Sequence, residues 1–351
     1  MKKDMNAELE PEVREKMTKN LVYVGMIGIV MVFAGLTSAY IVSMGDSFWI
    51  KFPLPPAFWV STVVILAGSL TFYLAIRAMK QGKEKLSKSL VLITTLSGVI
   101  FSVSQIVGYQ QMFSKGAHVV SNIMVSNGRY GDYYEIKMDG ALLVVDGNDY
   151  KKKGEVLNGI EMSELKKFAA NFTQSDSAAV LSIPEYGKKF NLLYRAEPLA
   201  IVNGKLIRSN GEELSRIDWI RLNEMMTHVA DGRGDFFLKG KIGEDFSLYY
   251  HGREIEYQNR ELYDQGKRIS APLEIKLIDS RDNATSYLFI ISALHLAHVL
   301  IMLLYMILFT RRTFRGEFNA ENTLGMRATA IFWHFLGALW LYLLLFLLFI
   351  H

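Results

Sequence analysis

The sequence contains no cysteine among its 351 residues. Disulfide bonds, thiolate metal sites, iron–sulfur clusters and a cysteine nucleophile are therefore excluded. A strong excess of one charge is also missing, because 39 Lys and Arg residues stand against 35 Asp and Glu. No stretch resembles a basic arm that binds nucleic acid, so neither DNA nor RNA is an expected partner.

Charged residues are nearly absent from five long apolar stretches. A helix needs about 20 apolar residues to cross the hydrocarbon core of a bilayer. A single apolar segment crosses only as a helix, since lipid offers no partner for bare backbone groups. The sequence thus predicts an all-α transmembrane five-helix bundle with the spans Leu21–Met44, Phe58–Met79, Leu90–Met112, Tyr287–Thr310 and Ala328–Ile350.

Basic residues predict the orientation of these spans. Lys51 is the one basic residue of the first-to-second loop, whereas the N-terminal tail and two alternate connections are rich in them. These basic residues are Lys2, Lys3, Arg14, Lys16, Lys19, Arg77, Lys80, Lys83, Lys85, Lys88, Arg311, Arg312, Arg315 and Arg327. A multi-pass protein of a bacterial inner membrane is predicted, with a cytoplasmic N-terminus and with the insertion and C-terminus in the periplasm.

The chain is predicted to divide into four segments. The polar N-terminus leads into a first span that is too long for a signal peptide, which predicts a retained helix. The segments are a cytoplasmic tail, three spans, an inserted soluble domain and two further spans, at residues 1–20, 21–112, 113–285 and 286–351.

The inserted segment alternates short apolar and polar runs that end at turn dipeptides such as Asp146–Gly147 and Asn203–Gly204. Two stretches, Glu161–Phe172 and Glu213–Val229, have apolar residues at roughly helical spacing. We therefore predict a soluble α+β domain that is rich in β-structure.

Three evenly spaced glycines, Gly131, Gly187 and Gly243, each follow an aromatic or aliphatic residue and precede a strand-like run and a turn. Self-similarity at a fixed period indicates repeated structural units. One hypothesis is a triplicated β-rich unit, and the other is chance similarity of short segments.

No pattern of catalytic residues is found in the inserted domain. His118, His228 and His251 are far apart in sequence, and Ser182 and Ser209 lie in no nucleophile motif. A docking or adaptor domain is the favoured interpretation, and a hydrolase or a heme site is the alternative.

Three histidines lie inside predicted spans, where polar residues are costly and usually functional or structural. The spacing of His295 and His298 places them on one helical face, and His334 could join them from the fifth span. Axial ligation of heme, a metal or proton path, and hydrogen-bonded helix packing are the three hypotheses.

Short motifs occur in all five spans, which cover about half of the chain. They are Phe33-Ala34-Gly35-Leu36, Pro55 to Thr62 with Ser69, Thr71 and Ala75, Phe101 with Gln105 and Tyr109, His295-Leu296-Ala297-His298-Val299, and Trp333-His334-Phe335 leading to Trp340. In this order they resemble subunit III of the heme–copper (cytochrome c) oxidases, in its five-helix bacterial form. The inserted domain is not part of the ordinary family pattern.

The resemblance implies a V-shaped bundle that packs against oxidase subunit I, with subunit II as a further partner. It implies no cofactor and no catalytic residue on this chain, with heme and copper in the partner subunits, although the whole complex is a proton-translocating oxidoreductase of aerobic respiration. The three intramembrane histidines would then form a structural polar cluster. Phospholipid would bind in a helix cleft, for which the candidate residues are Gly35, Ser38, Ser69, Arg77, Arg311 and Trp333.

The sequence departs from the family at four positions where the family has a buried carboxylate. These positions are occupied here by Ile29, Gly108, Gly337 and Arg327. These departures put in doubt a role of this subunit in proton uptake. The inserted domain is expected to dock a quinol-oxidising complex or a cytochrome c domain, although its balanced charge does not favour simple electrostatic capture of a basic cytochrome. The alternatives are a heme-bearing anchor of another respiratory complex and a membrane-tethered sensor or assembly factor.

Overall fold

The computed structural model describes residues 11–173 and 182–350. Lys2, Lys3 and the side chain of Arg14, which belong to the predicted basic tail, lie outside this description. The chain forms two compact units. The helical unit comprises the described residues of Met1–Ser43, Leu54–Ser114 and Ala284–His351, and the soluble unit comprises those of Met44–Pro53 and Lys115–Asn283.

The described residues form eight α-helices. They are α1 (Pro11–Met44), α2 (Pro56–Lys80), α3 (Glu84–Ser114), α4 (Gly159–Thr173), α5 (Arg216–Asp231), α6 (Ala271–Ile278), α7 (Asn283–Phe314) and α8 (Leu324–Phe349). Helices α1, α2, α3, α7 and α8 are long and apolar enough to cross a membrane, which confirms the predicted transmembrane character. Helix α1 begins at Pro11 rather than near Leu21, because the polar residues before the span continue the same helix.

Close packing in the helical unit depends on glycines that face large side chains. A Cβ atom on Gly108 of α3 would lie 2.4 Å from the ring of Phe58 on α2. A Cβ atom on Gly98 of α3 would lie 2.9 Å from the indole of Trp333 on α8. These contacts let the backbones approach more closely than any larger residue would allow.

The soluble unit contains thirteen strands among its described residues. They are β1 (Phe48–Lys51), β2 (Tyr134–Met138), β3 (Ala141–Asp146), β4 (Asp149–Lys152), β5 (Glu155–Val156), β6 (Phe190–Tyr194), β7 (Glu197–Pro198), β8 (Ala200–Val202), β9 (Lys205–Ile207), β10 (Ser247–Tyr250), β11 (Arg253–Gln258), β12 (Glu261–Asp264) and β13 (Lys267–Arg268). They form sheets in the orders β5-β4-β3-β2-β6-β7, β8-β9 and β1-β10-β11-β12-β13. Every pairing between these strands is antiparallel.

The three glycines of the predicted repeat occupy the same local structure. Gly131, Gly187 and Gly243 recur at an interval of 56 residues (187 − 131 and 243 − 187). Each has a positive φ, and each donates its backbone N–H to the carbonyl oxygen three residues later, at 3.0, 2.8 and 2.7 Å. Four short strands and one helix follow each glycine, ending with α4, α5 and α6 respectively. We call these segments the first, second and third repeats.

Turns also recur at equal distances from these glycines. Asp139, Arg195 and His251 each lie eight positions after the glycine and have φ values of 51, 50 and 48°. Two successive residues with positive φ form the two-residue turn that matches the twist of a β-hairpin. The same hairpin connection thus begins every repeat.

Three features of the soluble unit differ from expectation or were not predicted. Helix α5 begins at Arg216 rather than at Glu213, because the hydroxyl of Ser215 accepts a hydrogen bond from the N–H of Asp218 and caps the helix. Helix α6 was not predicted, since eight residues are too few for a clear period. Strand β1 lies in the loop between α1 and α2 and pairs with β10.

Candidate functional site

His295 lies at the centre of the helical unit and is fully buried. Its Nε2–H donates to the carbonyl oxygen of Leu336 on α8 at 3.0 Å, because a carbonyl oxygen can only accept. The imidazole is 5.8 Å from the ring of Phe101 on α3 and 5.4 Å from that of Trp340 on α8. Phe33 on α1 approaches it at 6.4 Å between ring centroids. His295 therefore joins four helices.

Trp340 extends these contacts to the fifth helix. Its indole N–H donates to the hydroxyl of Thr62 on α2 at 2.9 Å, and its ring lies 5.4 Å from that of Phe101. One side chain from each transmembrane helix thus belongs to a single group. We call Phe33, Thr62, Phe101, His295 and Trp340 the five-helix cluster.

The other two intramembrane histidines have different neighbours. His298 donates from Nδ1 to the carbonyl oxygen of Leu294 on its own helix at 2.7 Å, and its ring is 5.8 Å from Phe33. His334 instead packs against Phe72 on α2 at 6.4 Å. In the described part of the chain, no three His, Cys, Asp or Glu side chains are grouped as a metal site would require.

Polar side chains also connect the transmembrane helices in pairs. The buried amide of Gln105 on α3 donates to the hydroxyl of Ser61 on α2 at 2.7 Å. Further pairs are Thr37 with Tyr342 (3.1 Å), Ser43 with Tyr287 (3.0 Å), Thr71 with Thr94 (2.9 Å) and Thr95 with Thr310 (2.8 Å). Such hydrogen bonds stabilise helix association where the hydrophobic effect is weak.

The candidate lipid-binding residues occupy two kinds of position. Gly35, Ser38, Arg77 and Arg311 are exposed, as residues in contact with lipid would be. Ser69 is half-buried, with its hydroxyl oxygen 3.2 Å from where a Cβ of Gly337 would lie. Trp333 is 1% exposed and packs between helices, so its position is that of a core residue.

Arg327 of the helical unit takes part in an ion pair. Arg327 on α8 pairs with Glu15 on α1 at 2.8 Å, and Lys19 pairs with the same carboxylate at 2.7 Å. Arg327 is therefore anchored to α1 by a charge that lies beyond the apolar part of that helix.

The soluble unit contains a fully buried carboxylate, Asp235. Arg129 Nε donates to it at 2.6 Å, Arg260 Nη2 at 2.5 Å and the hydroxyl of Tyr257 at 2.8 Å. Burial, together with the negative charge of Asp235, raises the pKa of Tyr257 well above its usual value. We call these four residues the Asp235 cluster. It joins Arg129, which precedes the first repeat, to Tyr257 and Arg260 of the third repeat.

A second charged group surrounds Asp218 at the start of α5. Its carboxylate accepts hydrogen bonds from Ser215 (2.6 Å) and Tyr194 (3.0 Å) and pairs with Arg208 and Arg221. Burial alone would raise the pKa of Asp218, but the two hydrogen bonds and the two arginines outweigh it and hold the pKa below its usual range.

The remaining candidates in the soluble unit differ in their burial and in their contacts. His228 donates from Nε2 to the carbonyl oxygen of Asn127 at 3.1 Å. Burial, followed by the charge of Arg233, lowers the pKa of His228 and likewise that of His118. His251 is exposed in a turn, and Ser209 donates to Glu197. Ser182 is exposed.

Comparison with known proteins adds no identification. No protein-family model matches this chain, and no curated protein matches it in sequence.

Two parts of this arrangement were missed from the sequence, for different reasons. Hydroxyl and amide side chains occur within the apolar spans, and Thr95 and Thr310 are examples. Their presence in the sequence could have predicted hydrogen bonds between helices in addition to those of the histidines. Arg129, Asp235 and Arg260 are widely separated in sequence and carry no local pattern, so only the fold brings them together.

Proposed function

We propose that this chain is a non-catalytic subunit of a heme–copper (cytochrome c) oxidase, similar to subunit III, in the aerobic electron transport chain of a bacterial inner membrane. It stabilises subunit I, contacts subunit II within the complex and binds phospholipid. Heme and copper belong to the partner subunits. The soluble unit lies in the periplasm and docks a partner complex or an electron donor.

The five-helix cluster is the observation that carries this proposal. Phe33, Thr62, Phe101, His295 and Trp340 come from five separate motifs that each resemble the oxidase subunit. If the motifs resembled the oxidase subunit only by chance, their residues would not be expected to contact one another in the folded bundle. Their mutual contact at 5.4 to 6.4 Å between rings, with the 2.9 Å bond of Thr62 to Trp340, is what a shared packing arrangement predicts.

The histidine geometry favours a structural role within this proposal. His295 uses one ring nitrogen to bind a backbone carbonyl of α8, and His298 binds a carbonyl of its own helix. Such bonds satisfy backbone oxygens in a medium that supplies no water.

The decisive experiment is purification of the tagged full chain in mild detergent, with mass spectrometry and a reduced-minus-oxidised spectrum of the eluate. We expect heme–copper subunits I and II and a heme spectrum that disappears when this chain is isolated. Heme that stays with the isolated chain would instead support a heme-bearing anchor. Trp340→Phe should reduce recovery of subunit I, whereas the exposed Trp59→Phe should leave it unchanged.

The orientation is testable because the chain contains no cysteine. A cysteine at Lys153, in the soluble unit, should react with an impermeant maleimide in spheroplasts. One at Lys83, between α2 and α3, should react only after lysis. The opposite pattern would reverse the proposed topology.

The lipid role depends on the two exposed arginines at helix ends. Replacing Arg77 and Arg311 with Gln should lower the phospholipid that copurifies with the complex, measured by mass spectrometry of extracted lipid. Lys83→Gln is the matched control. Unchanged phospholipid in the double variant would remove these residues from the proposed lipid site.

A further inference from the structure

The outer face of the first repeat carries apolar side chains in the described sheet. Leu142, Val144 and Val156 are 38%, 54% and 55% exposed. Strand register places Val144 opposite Lys151, and Lys151 opposite Val156. Leu142 lies two residues before Val144 on the same face. We call Leu142, Val144 and Val156 the apolar face.

The third repeat provides an internal control for this face. Strands β3, β4 and β5 correspond to β11, β12 and β13 at the same distances from Gly131 and Gly243. At the positions equivalent to Leu142, Val144 and Val156, the third repeat carries Glu254, Glu256 and Arg268, all exposed.

The same fold is therefore compatible with charged residues at these positions. Apolar side chains here contribute nothing that the fold requires, and exposed apolar groups on a sheet are a liability for aggregation. A residue type that the fold does not need, at a position where it is costly, indicates a binding surface.

Charges beside the apolar face indicate what kind of partner fits. Lys151 is paired with Asp146 at 2.7 Å. The neighbouring strand β2 carries one acid and one base on the same face, Glu135 and Lys137. Neither sign is in excess. An anionic lipid surface would need unpaired cations, and a strongly basic protein would need unpaired acids. A protein surface with an apolar centre and few charges is complementary to a face of this composition.

We propose that the apolar face is the site at which the soluble unit docks a folded protein partner through an uncharged apolar surface. This assignment rests on the proposed docking role of the soluble unit, and it adds which face is used and what chemistry the partner presents.

The third repeat also suggests a variant that should fold. In Leu142→Glu with Val144→Glu, both new residues copy Glu254 and Glu256. Strand register places them opposite Lys137 and Lys151, and opposite charges across strands are favourable. The variant should therefore keep its thermal stability while placing two carboxylates in the interface.

A photoreactive amino acid introduced at Val156 of the full chain, in membranes of the producing cells, is the test. The matched control carries it at Arg268. We expect one adduct with a protein identified by mass spectrometry, formed from Val156 and not from Arg268. The double glutamate variant should lose it and bind that purified protein at least about tenfold more weakly.

Five other outcomes would overturn the assignment. They are the absence of any adduct, equal adducts from both positions, and an adduct with lipid alone, with a second copy of this chain or with the helical unit of the same chain. The heme spectrum of the same sample reports the oxidase function separately. Heme without the adduct counts against this face only, whereas the adduct without heme supports the face and counts against the oxidase assignment.

Discussion

The helical and soluble units both bury polar side chains, but the chemistry of the buried groups differs. In the helical unit, the described buried polar residues include no Asp, Glu, Lys or Arg, and examples are Gln105, Ser61 and Thr94. In the soluble unit they include the carboxylates of Asp218 and Asp235, each surrounded by arginine. A charge inside a bilayer is expensive, whereas a water-soluble domain can hold one if hydrogen bonds and counter-charges surround it. Single neutral bonds and charged clusters therefore have different consequences when they are broken.

The largest effect is expected from breaking the Asp235 cluster. Asp235→Ala would leave the positive charges of Arg129 and Arg260 without their shared counter-charge. We expect a loss of about 3 kcal/mol in the free energy of unfolding of the soluble unit. Urea titration of the purified full chain, followed by hydrogen–deuterium exchange of soluble-unit peptides, measures it.

The matched control is the exposed Glu254→Ala, for which a change below about 0.5 kcal/mol is expected. Peptides of the helical unit should exchange as before in both variants. Equal effects of the two substitutions would mean that the buried cluster contributes no special stability.

A smaller effect is expected from overpacking the helical unit. Gly108→Ala would place a Cβ atom 2.4 Å from the ring of Phe58. Displacing a ring in a close-packed interior costs about 1–3 kcal/mol. Thermal inactivation in detergent should therefore shift to lower temperature. Gly28→Ala on α1 meets nothing within 4 Å and should not destabilise the chain. Similar shifts for both variants would contradict the close contact.

The neutral pair between α2 and α3 should contribute less. A double-mutant cycle with Ser61→Ala and Gln105→Ala isolates the 2.7 Å hydrogen bond. We expect a coupling energy of about 0.6 kcal/mol, and below about 2 kcal/mol, as is typical between membrane helices. Unfolding of the full chain in mixed detergent micelles is the measurement. A coupling as large as that of the Asp235 cluster would remove the distinction between the two units.

The smallest effect concerns acid sensitivity of the soluble unit. Burial lowers the pKa of His228 below its ordinary 6.5, so the unfolded chain binds the proton more readily. Stability should fall as pH drops from above 6.5 toward the lowered pKa. His228→Gln keeps a donor for the Asn127 carbonyl and should flatten this dependence. Thermal transitions between pH 7.5 and 5 (about two and a half units) measure it. An unchanged slope would assign the dependence to other groups, such as His118.

The transmembrane helices were predictable because their signal is local. A run such as Tyr287–Thr310 is long and free of charge, and only a helix satisfies its backbone in lipid. Helix α4 and the turn at Asn203–Gly204 were predictable for a similar reason, since periodicity and turn residues lie within a few positions. The 56-residue recurrence of Gly131, Gly187 and Gly243 was also visible in the sequence.

Contacts between distant segments were not predictable. Nothing in the sequence near Phe48–Lys51 indicated that this loop between two spans supplies a strand to the third repeat. The sequence placed the three histidines in apolar spans but could not assign their neighbours: His334 packs on Phe72, and His295 packs among Phe101 and Trp340. Such contacts depend on how helices and strands rotate and pair, which no single segment encodes.

The sequence by itself determined that five helices are apolar enough to cross a membrane and that a β-rich segment with recurring glycines interrupts them. Length, hydrophobicity and turn chemistry act within a segment, so a segment suffices to reveal them. Only the tertiary structure decided that Thr62, His295 and Trp340 meet in one cluster and that two arginines from distant segments surround Asp235. It also showed that Val144 and Glu256, at equivalent positions of the first and third repeats, are both exposed. Burial and side-chain contacts depend on the arrangement of the whole chain, so no single segment reveals them.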